Sequence, residues 1–179
     1  FRNTRTTMEL TKSTFLAQWR ESIGLALETG AVYSQGFGLS PEDSLNALGR
    51  KYKGKSILLT DAACYSTTDI FSAGFQDHNI GPILGYDPST GAGGANVWTH
   101  ELIGQFWPGS PPSNPIKLLT RGMAMRAALR ASTRVGTKMG LPLEDLGAQS
   151  TYRHFRTARD VWEADADIYD KAGEILKNL

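Results

Sequence analysis

The chain has 179 residues, 40% hydrophobic and 21% charged, with a formal net charge of +1. That describes an ordinary globular protein long enough for one cored domain, and so even a charge balance predicts neither a nucleic-acid partner nor an anionic membrane surface. The single cysteine, Cys64, excludes an intramolecular disulfide, no apolar run approaches the roughly 18 residues of a membrane span, and no signal peptide is visible.

Residues 1–12 are polar and threonine-rich and read as an extended lead-in. Ser13 then caps an amphipathic helix, with Phe15, Leu16, Trp19, Ile23, Ala26 and Leu27 at helical spacing and Gly30 past its end. A glycine-bearing connection leads to a shorter helix with Ser40 as N-cap, Pro41 at its first position and Gly49 as its stop. After the basic turn of residues 50–55 comes the apolar strand Ser56-Ile57-Leu58-Leu59-Thr60. A helix starts at Ser66, is expected to bury Ile70, Phe71 and Phe75, and ends near Gly81. The strand Pro82–Gly85 completes a parallel βαβ unit.

Residues 86–96 are a glycine-rich loop without the G-x-G-x-x-G spacing of a dinucleotide site. Residues 107–115, rich in proline, read as a surface excursion. From Met123 to Val135 the period becomes two, which predicts one or two half-exposed antiparallel strands with Arg126, Arg130 and Arg134 on a solvated face. The tail from Thr157, with Asp160 at its third helical position, reads as a further capped helical region.

The chemistry concentrates at Asp61-Ala62-Ala63-Cys64-Tyr65-Ser66-Thr67-Thr68-Asp69. Strand, tight turn and helix put the Ser66 hydroxyl at the carboxyl end of a strand and at a helix N-terminus. Free N–H groups and the helix dipole there favour developing negative charge. An acyl-transfer nucleophile with the Thr67 N–H as oxyanion donor fits that position. A plain N-cap with an acidic residue at the third position fits it as well. Cys64, close behind the strand, reads as a small packing residue rather than a nucleophile.

The longer string Tyr65-Ser66-Thr67-Thr68-Asp69-Ile70, followed by Gln76-Asp77, Ile83-Leu84-Gly85 and Thr90-Gly91-Ala92-Gly93, resembles the C-terminal processing (tail-specific) serine peptidases and their tricorn-like relatives. That family shows S-x-S-x-S-E-I, a Q-D pair, an apolar strand and a glycine-rich loop. The resemblance implies that Ser66 is the nucleophile, that Thr68-Asp69 stand for Ser-Glu, and that Leu143-Glu144-Asp145-Leu146-Gly147 is the acidic segment in which Glu144 serves a catalytic tetrad. Two departures follow. Bacterial members carry a lysine base in the loop where this chain has Gly91 or Ala92, and the upstream glycine-rich oxyanion segment has no counterpart in residues 1–55. The chain is therefore nearer the tricorn-like members.

The three histidines supply no obvious base. His78 lies about 18 Å along the helix from Ser66 at 1.5 Å per residue. His100 follows the glycine-rich loop and reads as an ordinary surface histidine, and His154 reads as solvated among arginines. Their spacing suits no metal site. Taken with the resemblance, these readings imply an α/β fold of the crotonase/Clp-like peptidase type, with βαβ units and an antiparallel edge. The whole chain, 1–179, reads as the C-terminal part of a catalytic core. Peptide or unfolded protein is the expected substrate, without metal or organic cofactor. The missing base and second oxyanion donor are expected from an upstream segment or a second chain, so an oligomer is compatible. A non-catalytic member that binds peptides or assembles with other chains is the alternative.

Overall fold

The computed structural model describes residues 14–38, 40, 45–47, 49, 51–106, 116, 117 and 119–179. The expected cap at Ser13, most of the helix expected over 40–49, and the excursion at 107–115 lie outside the described residues. The chain divides into two compact units, one of residues 1–52 and 99–125, the other of residues 53–98 and 126–179.

In the first unit, α1 (Thr14–Thr29) ends at Gly30, whose φ of +73° is the left-handed conformation a helix stop favours. The connection after it folds back on α1. Trp19 donates its indole N–H to the Gly38 carbonyl at 3.3 Å and packs edge-on against Phe37, and Ser22 Oγ accepts the Gln35 N–H at 2.8 Å. The same unit carries α3 (His100–Phe106).

The second unit holds the βαβ motif. Strand β1 (Leu58–Thr60) leads through a turn into α2 (Thr67–Asp77), which returns to β2 (Ile83–Gly85). The strands are parallel, with Leu58 opposite Ile83 and Thr60 opposite Gly85. A third parallel strand, β5 (Tyr152–Arg153), pairs with the other edge of β2, giving the order β1-β2-β5. Period-two alternation then sorts the side chains. Leu58 and Ile83 pack with Phe75 of α2 and Ala148 on one face. Leu59 and Leu84 pack with Ile168, Ala172 and Ile175 of α5 (Ala166–Asn178) on the other. With helices over both faces, the central β2 is wholly buried.

A separate antiparallel pair joins β3 (Asn96–Thr99) and β4 (Arg126–Arg130), and Arg130 lies over the Trp98 ring. Between β5 and α5, α4 (Ala158–Trp162) starts at a full capping box. Thr157 Oγ1 accepts the Asp160 N–H while Asp160 Oδ2 accepts the Thr157 N–H.

Two expectations about faces are corrected. On α2 the buried positions are Asp69, Ser72, Ala73 and Phe75, whereas Ile70 and Phe71 are exposed. The helix turns its Asp69 side inward because that carboxylate has buried donors to meet. Arg134 is likewise buried instead of solvated, because it pairs with Asp77.

Candidate active site

The turn between β1 and α2 is built from its own polar side chains. Asp61 Oδ1 accepts the N–H groups of Ala63 and Cys64 at 3.0 and 3.1 Å, and Asp87 Oδ2 accepts that of Ala62 at 2.9 Å. Tyr65–Thr68 then makes a β-turn closed by the Thr68 N–H on the Tyr65 carbonyl at 3.1 Å. Its second residue, Ser66, has φ +58° and ψ −111°. These are the angles of the first central position in a type II′ turn, a place glycine normally takes. A serine held there is strained, as a nucleophile on a strand-to-helix elbow is.

Ser66 occupies the N-cap position of α2, yet its hydroxyl accepts no capping bond. Among the described residues Ser66 Oγ has no hydrogen-bond partner, and neither does the Thr67 N–H that opens the helix. The Ser66 side chain makes no capping bond, and the Ser66 N–H figures only among the groups that help hold the Asp69 carboxyl down. Simple capping does not explain this serine. Cys64 is half-buried, and burial pushes its thiol up; the Asp61 and Asp69 carboxylates add to that against a backbone hydrogen bond at Asp61. It is a poor thiolate.

Asp69 ties the elbow to the glycine-rich loop. It is fully buried and accepts the N–H of Ala92 at 2.9 Å and of Gly93 at 2.8 Å. Burial pushes its carboxyl up, but the Thr90 hydroxyl and the Gly93, Ala92 and Ser66 N–H groups outweigh that and hold it below its ordinary value. It stays a carboxylate. The loop in turn lies on Tyr65. A Cβ at Gly91 would meet the Tyr65 ring at 2.6 Å and the Ala62 carbonyl at 2.7 Å, and one at Gly93 would meet the same ring at 2.6 Å. A side chain at Gly91 is therefore excluded by backbone as well as by ring. Ala92 sits at φ +63°.

Gln76 and Asp77 end α2 in a network. Arg134 donates from Nη2 to Asp77 Oδ1 at 2.5 Å and to Gln76 Oε1 at 2.9 Å, and from Nε to Asp77 Oδ2 at 2.8 Å. Lys138 Nζ reaches Gln76 Oε1 at 2.5 Å, and Gln76 Nε2 donates to the Gln149 carbonyl at 3.0 Å. Burial would raise the Asp77 carboxyl, but Arg134, the Val135 N–H and Lys138 together hold it below its usual value. Burial and the Arg134 charge push Lys138 below the ordinary lysine value, with Asp77 opposing.

Glu144 is exposed in the turn after buried Leu143 and makes no hydrogen bond or ion pair among the described residues. Its neighbour Asp145 donates its N–H to the Ala92 carbonyl at 3.0 Å, so this turn borders the glycine-rich loop. His78 caps the C-terminus of α2 and is exposed. His100 is engaged with the Lys117 carbonyl at 2.5 Å. His154 corrects the expectation of a solvated ring. It is buried, with Nε2 at 2.6 Å from Asp160 Oδ2 and its ring against Tyr86. Asp160 was legible only as a helix-capping acid; the His154 six residues before it was the available signal. Among the described residues, no group of three or more His, Cys, Asp or Glu side chains is placed to hold a metal ion, and no helix is long and apolar enough to cross a membrane.

A family model described as peptidase family S41 matches residues 14–106, just over half of the chain and including the Ser66 elbow and the glycine-rich loop. The chain belongs to peptidase family S41, the C-terminal processing peptidases. That membership implies a serine peptidase. The match reaches upstream of the stretch where the resemblance is legible, and it stops before the Glu144 turn. Comparison with curated proteins and with solved structures gives no significant match.

Proposed function

We propose that this family S41 chain cleaves peptide bonds through an acyl-enzyme on Ser66. The observation that carries the reading is the strained Ser66, at φ +58° and ψ −111°, whose hydroxyl takes no part in capping the helix it begins. Ser66 Oγ attacks the scissile carbonyl and gives up its proton to a general base. The carbonyl oxygen becomes an oxyanion facing the Thr67 N–H. Collapse expels the amine, which takes the proton, and water then hydrolyses the ester by the reverse roles.

The base comes from outside the described residues, since no histidine or lysine among them hydrogen-bonds Ser66. Glycine and alanine at positions 91 and 92 favour the tricorn-like subtype, in which the loop carries no lysine, with Glu144 as a supporting acid. The helix-covered parallel sheet supports a crotonase/Clp-like core, an upstream segment or second chain completes the site, and unfolded protein is the substrate class. That no described residue serves Ser66 as a base also favours a second reading, a family member that keeps the fold for peptide binding or assembly. Fluorophosphonate labelling decides between them. Labelling of the protein, abolished by Ser66→Ala, supports the peptidase; an unreactive Ser66 in the protein with its native flanking segments sinks it.

A further inference from the structure

The three parallel strands end at one edge of the sheet, and the turns that follow them line an open cavity of about 360 Å³. Asp61 and Ala63 line it after β1, Tyr86 and Asp87 after β2, and Phe155 and Arg156 after β5. This edge is where open parallel sheets place their ligand crevices.

The lining has an uneven charge balance. The Asp61 carboxylate accepts the Ala63 and Cys64 N–H groups and lies against the Cys64 thiol, the Asp87 carboxylate accepts the Ala62 N–H, and neither forms an ion pair among the described residues. Arg156, the cation on the lining, is already engaged, 3.6 Å from Asp165 and stacked over the Tyr86 ring at 4.4 Å. Phe155 is 76% exposed, and Arg153, outside the lining, lies over its ring at 5.3 Å. The two rings already carry the chain's own guanidinium groups, so the recognition rests on the two carboxylates, neither of which has an ion-pair partner among the described residues, and they match a side chain with a long apolar stem and a cationic head.

The cavity is also close to the elbow. Ala63 precedes Ser66 by three residues, so their Cα atoms are at most about 11 Å apart at 3.8 Å per step. An extended peptide advances roughly 3.4 Å per residue. A substrate with its scissile carbonyl at Ser66 would bring into the cavity a side chain from within about three residues of that bond.

We propose that this cavity is a specificity subsite for a lysine or arginine side chain of the substrate peptide. The position of the cleaved bond rests on the Ser66 reading; the chemistry of the cavity does not. The test uses the full chain carrying Ser66→Ala and fluorescent peptides that differ only in holding Lys, Met or Glu at one position, scanned along the sequence. Anisotropy should show the Lys peptide binding about fivefold or more tighter than the Met and Glu peptides at one register, the scale of a partly exposed ion pair. Asp61→Asn and Asp87→Asn keep an acceptor for the turn and should each shrink that preference, while Arg156→Gln should preserve or enlarge it. Equal binding of the three peptides, a preference for Glu, no binding of any of them, or a Lys preference untouched by both Asn variants overturns the subsite. Fluorophosphonate labelling of the Ser66 protein is read separately. Labelling without a Lys preference removes the subsite and leaves the nucleophile; a Lys preference without labelling does the reverse.

Discussion

The Asp69 carboxylate accepts the Gly93 N–H at 2.8 Å, so the loop that follows β2 hangs from the first turn of the helix that Ser66 begins. The geometry of the elbow and that of the loop are therefore not independent. Asp69→Asn replaces an acceptor with an amide whose NH₂ faces donors, leaving at least one buried N–H without a partner. We expect a loss of about 1–3 kcal/mol in urea unfolding, together with slower fluorophosphonate labelling of Ser66. Unchanged labelling in a folded Asp69→Asn protein would show that the tether does not position the serine.

Acid should loosen the same region. Asp69 and Asp77 are both held below their ordinary carboxyl values in the folded chain. The unfolded chain has them near 3.9, so between the folded and unfolded values it binds more protons and stability rises with pH. The contribution is complete above about pH 5 and is lost as pH falls through 4 towards the folded values. Urea midpoints taken from pH 7 down to pH 3 check this. The acid-side slope should be shallower in Asp77→Asn than in the parent, and a parallel slope would contradict the assignment.

Gly91 and Gly93 both face Tyr65, but they are not equivalent. The nearest atoms a Cβ at Gly93 would meet all belong to the Tyr65 ring, whereas one at Gly91 would also meet the Ala62 carbonyl at 2.7 Å. Gly93→Ala and Gly91→Ala should each destabilise by about 1–3 kcal/mol, the usual cost of overpacking. Adding Tyr65→Ala should rescue Gly93→Ala and leave Gly91→Ala impaired. Thermal unfolding of the four variants and the parent reads the difference, and equal rescue of both would refute the steric account.

Arg134 and Asp77 form a buried ion pair, their side chains only 4% and 3% exposed. Removing one partner strands the other charge, so Arg134→Ala and Asp77→Ala should each cost about 3–5 kcal/mol. Because both break the same contact, the double variant should cost clearly less than the sum. Additive losses in a double-mutant cycle would mean the two side chains act separately.

The βαβ unit and the Ser66 elbow were legible because their signals are local: an apolar strand, a polar turn, a helix start and a second strand within some thirty residues. The Thr157–Asp160 cap was legible for the same reason, and the structure has it as a complete capping box. Arg134 was not. Alternation with apolar neighbours placed it on a solvated face, and the carboxylate that draws it inward lies 57 residues away. The inward face of α2 was misjudged through Asp69, whose donors come from a loop 23 and 24 residues on. A polar residue reads as exposed until its buried partners are known, and periodicity does not carry that information. Ser66 itself was ambiguous between cap and nucleophile. Its backbone angles and missing cap bond speak against a plain cap, and no residue type announces them.

Those angles support a final prediction, in which stability and reactivity move in opposite directions. Ser66 sits at φ +58° and ψ −111°, and strain of this kind costs on the order of 1–3 kcal/mol for a residue with a Cβ. Glycine relieves it, offset in part by its greater freedom in the unfolded chain. Ser66→Gly should therefore raise the urea midpoint. Ser66→Ala keeps the Cβ and removes a hydroxyl that has no partner among the described residues, so its midpoint should stay close to that of the parent. Both variants should lose fluorophosphonate labelling completely. A capping serine would behave otherwise: Ser66→Ala would then lose about 1 kcal/mol with the cap, and Ser66→Gly only a few tenths. If Ser66→Ala is the markedly destabilised variant and Ser66→Gly gains nothing, the residue is a cap and the strained-nucleophile reading falls.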